Sequence, residues 1–164
     1  MDTLKKKILI VCFDDISLAP MIKELLVQAL KEKRVEDFFE VTSAGLESHR
    51  CKLGASATTS AQDVVGKDGP NISKHQSYFV GNLSPGLRSY HLVITTNQES
   101  LGLLLKRHNS PRERTILLFD ETGGIHLSPG DETHAYQQCV SQLKPEMRKL
   151  AESLADELHL VQMR

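Results

Sequence analysis

The stretch Ile8-Leu9-Ile10-Val11-Cys12-Phe13-Asp14-Asp15-Ile16-Ser17-Leu18-Ala19-Pro20-Met21 decides the fold. Residues 8–12 are a continuous apolar run rich in β-branched side chains. Such a run suits a strand buried on both faces, as a parallel sheet requires. Asp14 and Asp15 break it, and Pro20 suits the first turn of a helix, where a missing N–H loses no bond. Beyond the proline, Met21, Leu25, Leu26 and Ala29 recur at helical spacing, with Lys23, Glu24 and Lys31 falling elsewhere. The segment reads as strand, loop, helix.

Outward from it the same alternation continues. Residues 38–44 read as a second strand stopped by Gly45. The pattern of residues 47–77 is weaker, with one helix expected near 55–65 and Gly66, Gly69 and Pro70 closing it. Residues 92–96 form a third strand, and Asn97 is a natural N-cap for a helix over 98–107. Residues 115–118 are a fourth strand. A loop with Gly, Asp and Pro spans 119–133, and a final helix runs from about 133 to 160 with a candidate bend at Pro145. Strands alternating with helices predict one α/β domain over residues 1–164, with a parallel sheet and right-handed crossovers. In such sheets ligands sit beyond the carboxyl ends of the strands. The segments that matter are then 12–20, 43–46, 95–100 and 119–133.

Composition narrows the function classes. The chain has 164 residues, with Lys+Arg 20 against Asp+Glu 21 and a net charge of −1. No basic excess points to nucleic acid. The three cysteines, Cys12, Cys51 and Cys139, are widely spaced and imply neither a disulfide framework nor a zinc knuckle. A reducing cytosol fits them best. The apolar run after Lys5-Lys6-Lys7 is too short for a signal peptide, and no stretch approaches a membrane span. A cytoplasmic protein without membrane contact is expected. The seven histidines show no metal spacing, so neither a metal nor a cofactor is expected.

Cys12 ends a buried strand and faces a helix start. Backbone N–H groups there make an anion site, and the same field lowers a thiol pKa. A thiolate can attack phosphorus while amides and an arginine hold the oxygens and an acid protonates the leaving group. The competing account of Cys12 is a small buried hydrophobe.

The ordered set of motifs resembles the low-molecular-weight protein tyrosine phosphatase family. It comprises Lys7-Ile8-Leu9-Ile10-Val11-Cys12, Pro20-Met21, Thr42-Ser43-Ala44-Gly45-Leu46, Asn71-Ile72-Ser73-Lys74-His75, Leu92 to Ser100 and Tyr136-Gln137-Gln138-Cys139. The resemblance covers about residues 5–160 and implies a flavodoxin-like, three-layer fold. Its four-stranded parallel sheet would have the order 2-1-3-4. It also implies a phosphoric monoester hydrolase with Cys12 as nucleophile and residues 13–19 as the phosphate loop.

The loop departs from the family at the positions that carry the chemistry. Leu18 stands at the arginine position and Ala19 at the Ser/Thr position. Asp14-Asp15 replace the usual Gly-Asn, and Ser17 replaces the second loop cysteine; Phe13 and Ile16 complete the loop. The Asp-Pro of the general acid is matched by Ser128-Pro129, with Asp131 displaced along the chain. An arginine's charge-assisted hydrogen bonds are worth about 1.5–3 kcal/mol each. A unit charge near a phosphate, at about 6 Å and effective dielectric 20, repels by roughly 3 kcal/mol. Ser128 is no acid at neutral pH. These changes point to a pseudophosphatase with a binding or regulatory role and a protein partner of unknown identity. The alternative is an active cysteine-dependent phosphatase using non-standard loop partners.

Further features bear on the site. Asp14-Asp15 after a first strand is similar to the acidic pocket of receiver domains, but Thr95-Thr96 stand where their phosphoacceptor Asp is needed; two solvated turn carboxylates are the simpler expectation. The arsenate reductases of the superfamily need further cysteines, and residues 95–120 hold none. Phe13 is expected to cover the loop's mouth and His75 to pack beneath the loop. The late loop, residues 123–131, offers no aromatic side chain except His126.

Overall fold

The structure is a computed structural model and describes residues 5–46, 54–67, 71–83, 86–127 and 130–162. Strand β1 (Lys6–Cys12) lies inside a four-stranded sheet of order β2-β1-β3-β4, with β2 (Phe39–Gly45), β3 (Leu92–Thr95) and β4 (Thr115–Leu117). Every pairing is parallel: Ile10 lies opposite Ser43 on one side and Ile94 on the other, and Ile94 opposite Ile116. The apolar run of β1 is explained by this position. Ile8, Ile10 and Cys12 face one core, and Leu9 and Val11 face the other. Alternate residues of a strand point to opposite faces, so a strand covered on both needs no polar position.

Helix α1 (Leu18–Glu32) buries Met21, Ile22, Leu25, Leu26, Ala29 and Leu30 against the first core. The long α4 (Glu132–Gln162) covers the same face with Val140, Leu143, Met147, Ala151 and Leu154. Between them α2 (Thr59–Gly66) contributes Ala61, Val64 and Val65. Opposite, α3 (Gln98–Arg107) buries Leu104 beside Val80, Leu87 and Tyr90. The result is a three-layer α/β structure with the strand order expected from the resemblance.

Local chemistry places the helix starts. Asn97 caps α3 through its side-chain oxygen, which accepts the Ser100 N–H at 2.8 Å. Thr58 does the same for α2, accepting from Ala61 N at 3.2 Å, so this helix starts at Thr59 rather than near residue 55. The last helix continues through Pro145. No helix among the described residues is long and apolar enough to cross a membrane.

Candidate functional site

The carboxyl end of β1 leads into residues 13–17 and then into α1. This connection is clamped from both sides by main-chain bonds. Leu46 N–H donates to the Cys12 carbonyl at 2.9 Å, and Thr58 N–H donates to the Ile16 carbonyl at 2.8 Å. Gly45 lies directly against it. A Cβ there would stand 3.1 Å from Asp15 N and 3.2 Å from the Phe13 carbonyl oxygen. The Ser-Ala-Gly run of β2 therefore needs its glycine for backbone approach, not for an unusual φ.

Cys12 is buried at 5% exposure, with its Sγ 3.6 Å from Thr96 Oγ1. Burial pushes its thiol up to about 12; the Thr96 hydrogen bond opposes this, and Asp14 and Asp15 add to it. This is the reverse of the depressed pKa that a nucleophilic thiolate requires.

The two aspartates behave differently. Asp14 Oδ1 accepts the Ile16 N–H at 3.1 Å, a local turn that engages one loop amide with the chain's own carboxylate. The expectation of two solvated carboxylates fails for Asp15, which is fully buried. Its Oδ2 accepts the Tyr78 N–H at 2.8 Å, Ser43 hydrogen-bonds its carboxylate, and His75 Nε2 stands 3.6 Å from Oδ1. Asp15 thus serves as a strut between β1, β2 and residues 75–78, because tertiary contacts supply the donors that water supplies in an isolated turn. His75 does lie beneath the loop, with Nε2 hydrogen-bonded to the Asp15 carbonyl. Burial nevertheless pushes the Asp15 carboxyl up, against the lowering effects of Ser43, His75, the Tyr78 amide and Lys23.

The remaining positions follow from packing. Leu18 packs against the first core, and Ala19 is fully buried. Phe13 is partly buried and packs on the second core, beside the group containing Leu9 and Val11. An apolar ring next to a buried apolar cluster gains more by joining it than by standing in water. Ser17 precedes α1 without capping it. Its hydroxyl engages Tyr136 of α4, whose own hydroxyl also hydrogen-bonds Glu132; burial, with Glu132 and Asp14, pushes the phenol up to about 12, against the lowering effect of Ser17. Asp131 is exposed, and its Oδ1 accepts the Thr133 N–H at 3.2 Å, a bond at the start of α4. His126 Nε2 is tied to the Thr122 carbonyl at 2.7 Å. Ser128, Pro129 and Cys51 lie outside the described residues.

The sequence reasoning missed Thr96 as the thiol's neighbour and Tyr78 as the partner of Asp15. Ser43 and His75 lay in motifs already noted, and that was the available signal. Among the described residues no group of three or more His, Cys, Asp or Glu could hold a metal ion.

A parallel 2-1-3-4 sheet with a cysteine-bearing loop at the end of its first strand is a flavodoxin-like α/β architecture. Residues 7–160 match the family described as low molecular weight phosphotyrosine protein phosphatase, and the chain belongs to that family. Its fold is similar to a YwlE mutant from Bacillus subtilis, with 21% identity, TM-score 0.78 and coverage of 92% of this chain and 99% of that one. It is also similar to the low molecular weight protein tyrosine phosphatase of T. tengcongensis, with 20% identity, TM-score 0.76 and coverage of 91% and 99%. Vibrio vulnificus Wzb in complex with benzylphosphonate gives 18% identity, TM-score 0.74 and coverage of 90% and 98%. No curated protein matches the chain by sequence.

Proposed function

We propose that this member of the family is a pseudophosphatase: its loop performs no phosphoryl transfer, and the protein acts by binding. The observation that carries this is Leu18, at the family's arginine position, packed against the core. A leucine offers no N–H donors to a phosphoryl group and no charge to its transition state. Three other features act in the same direction. Cys12 is buried and its thiol is pushed up to about 12, so almost none is ionised at neutral pH. Asp14 engages the Ile16 amide that an anion would need. The general-acid position carries Ser128.

The deficits multiply, because each acts on a different stage: binding, attack and departure. Each 1.36 kcal/mol of lost transition-state stabilisation is about tenfold in rate. Loss of two charge-assisted hydrogen bonds alone, at about 1.5–3 kcal/mol each, removes roughly two to four orders of magnitude. The test is turnover of p-nitrophenyl phosphate by the purified protein beside Cys12→Ser. Equal background rates are expected. A rate that depends on Cys12 overturns the proposal.

A further inference from the structure

Two adjoining cavities open along α1 and β2, and neither is lined by any of residues 12–19. The larger, about 340 Å³, is lined by Thr42, Lys23, Lys74, His75, Tyr78 and Tyr90 among others. The smaller, about 230 Å³, shares Lys23, Lys74 and His75 with it. Together they form a groove of the size that takes a small molecule.

Its chemistry is specific. Among the described residues neither Lys23 nor Lys74 forms an ion pair. No carboxylate lines the larger cavity. The carboxylate of Asp15, which does not line it, is engaged by Tyr78 N–H and Ser43 and feels the charges of His75 and Lys23. Glu24, in the smaller cavity, accepts from Gln28 Nε2 at 3.1 Å. Tyr78 is 45% exposed although it is a large aromatic side chain, and Tyr90 already carries Lys7 Nζ at 5.8 Å from its ring centre. The groove thus joins two lysines that lie outside any ion pair among the described residues with the exposed ring of Tyr78.

We infer that this groove binds a small aromatic anion. Its carboxylate or phosphoryl group lies between Lys23 and Lys74, and its ring lies towards the exposed Tyr78. The site is separate from the cysteine loop and does not depend on whether that loop is catalytic. It abuts the loop through His75, Ser43 and Tyr78, which line the groove and hold Asp15.

The experiment is titration calorimetry with phenylphosphonate, with benzoate and with inorganic phosphate, joined to amide chemical-shift mapping. Saturable binding of at least one aromatic anion below about 5 mM is expected, at least tenfold tighter than inorganic phosphate. Phenylphosphonate against benzoate decides which acidic group the lysines prefer. Shifts are expected to be largest at Lys74, His75 and Tyr78 and smaller at residues 13–17. The variant Lys23→Ala/Lys74→Ala should weaken binding at least tenfold. A charge-matched control, Lys106→Ala/Lys149→Ala, should leave it unchanged, with melting curves reporting the fold of both. Absence of saturable binding, equal loss in both variants, or shifts centred on residues 13–17 overturns the inference. The p-nitrophenyl phosphate assay reads the loop alone, so either reading can fail without the other.

Discussion

The backbone N–H of Tyr78 donates to Asp15 Oδ2 at 2.8 Å, across 63 residues of chain. One carboxylate thereby joins the loop after β1 to the segment that pairs with the end of β2, where Gly45 N–H donates to the Tyr78 carbonyl at 2.8 Å. The loop's shape is held from below by a group that burial would rather keep neutral.

That conflict gives a pH dependence with a definite sign. The Asp15 carboxyl is raised by burial above its ordinary value, so the folded state holds its proton more tightly than the unfolded chain. Its stabilising contribution is present below the ordinary carboxylate range and is lost as pH rises through the folded-state value. Asp15→Asn keeps an acceptor for Tyr78 N–H and removes the ionisation. Its melting temperature, followed from pH 4 to pH 8, should gain on the parent as pH rises, by about 2–4 °C for each kcal/mol relieved. A constant offset, or a loss that grows with pH, contradicts this.

Cys12 should behave as an inert thiol. Its raised value, about 12, means that alkylation by iodoacetamide climbs only in strongly alkaline solution. Mass mapping after brief labelling at pH 6 and pH 9 checks it. Fast, selective modification at pH 6 would show that the loop amides outweigh burial and the two aspartates. The same shift makes the folded state lose stability as pH rises from the ordinary thiol value towards 12.

Gly45→Ala should disturb the loop without touching any side chain of it. The added methyl would stand 3.1 Å from Asp15 N, 3.2 Å from the Asp14 carbonyl carbon and 3.2 Å from the Phe13 carbonyl oxygen, and all three are backbone atoms. Backbone clamped between β1 and α1 yields less easily than a side chain. Overpacking of this kind costs about 1–3 kcal/mol. Urea unfolding should report that loss, and amide shifts should concentrate at residues 13–16. An unchanged midpoint would mean that the approach relaxes freely.

Much of the fold was legible because β1 is buried on both faces by residues whose apolar character is continuous from Ile8 to Cys12. Asn97 also announced its helix through local chemistry alone. Other features depend on distant partners. Nothing near Asp15 in sequence reveals that Ser43, His75 and Tyr78 will meet it. The packing of Phe13 on the second core likewise depends on residues far along the chain, such as Val80 and Leu87. The groove joining Lys23 to Lys74 is invisible in the sequence for the same reason, since α1 and residues 71–76 come together only through the fold.

Repair of the loop tests whether the residues at positions 14, 18 and 19 are what separates this chain from a phosphate-binding loop. Leu18→Arg alone should not produce an efficient enzyme. The new guanidinium gives up Leu18's packing against the core and meets the Asp14 carboxylate first, since Asp15 is turned towards Tyr78. The combined variant Asp14→Gly, Asp15→Asn, Leu18→Arg, Ala19→Ser frees the Ile16 amide, restores the donor set and removes both loop carboxylates. Phosphate-induced shifts at residues 13–18 should then appear, whereas the parent is expected to show none at low millimolar phosphate. Ala19 is fully buried, so its added hydroxyl needs a partner, and some stability loss will accompany the gain. Adding Ser128→Asp should raise turnover by about 10²–10⁴-fold, the usual contribution of a general acid. If the four-residue variant keeps a cooperative melt and still leaves these amides unmoved by phosphate, the loop backbone does not present its amides as the family resemblance implies. The loss of chemistry would then lie in the main chain rather than in Leu18.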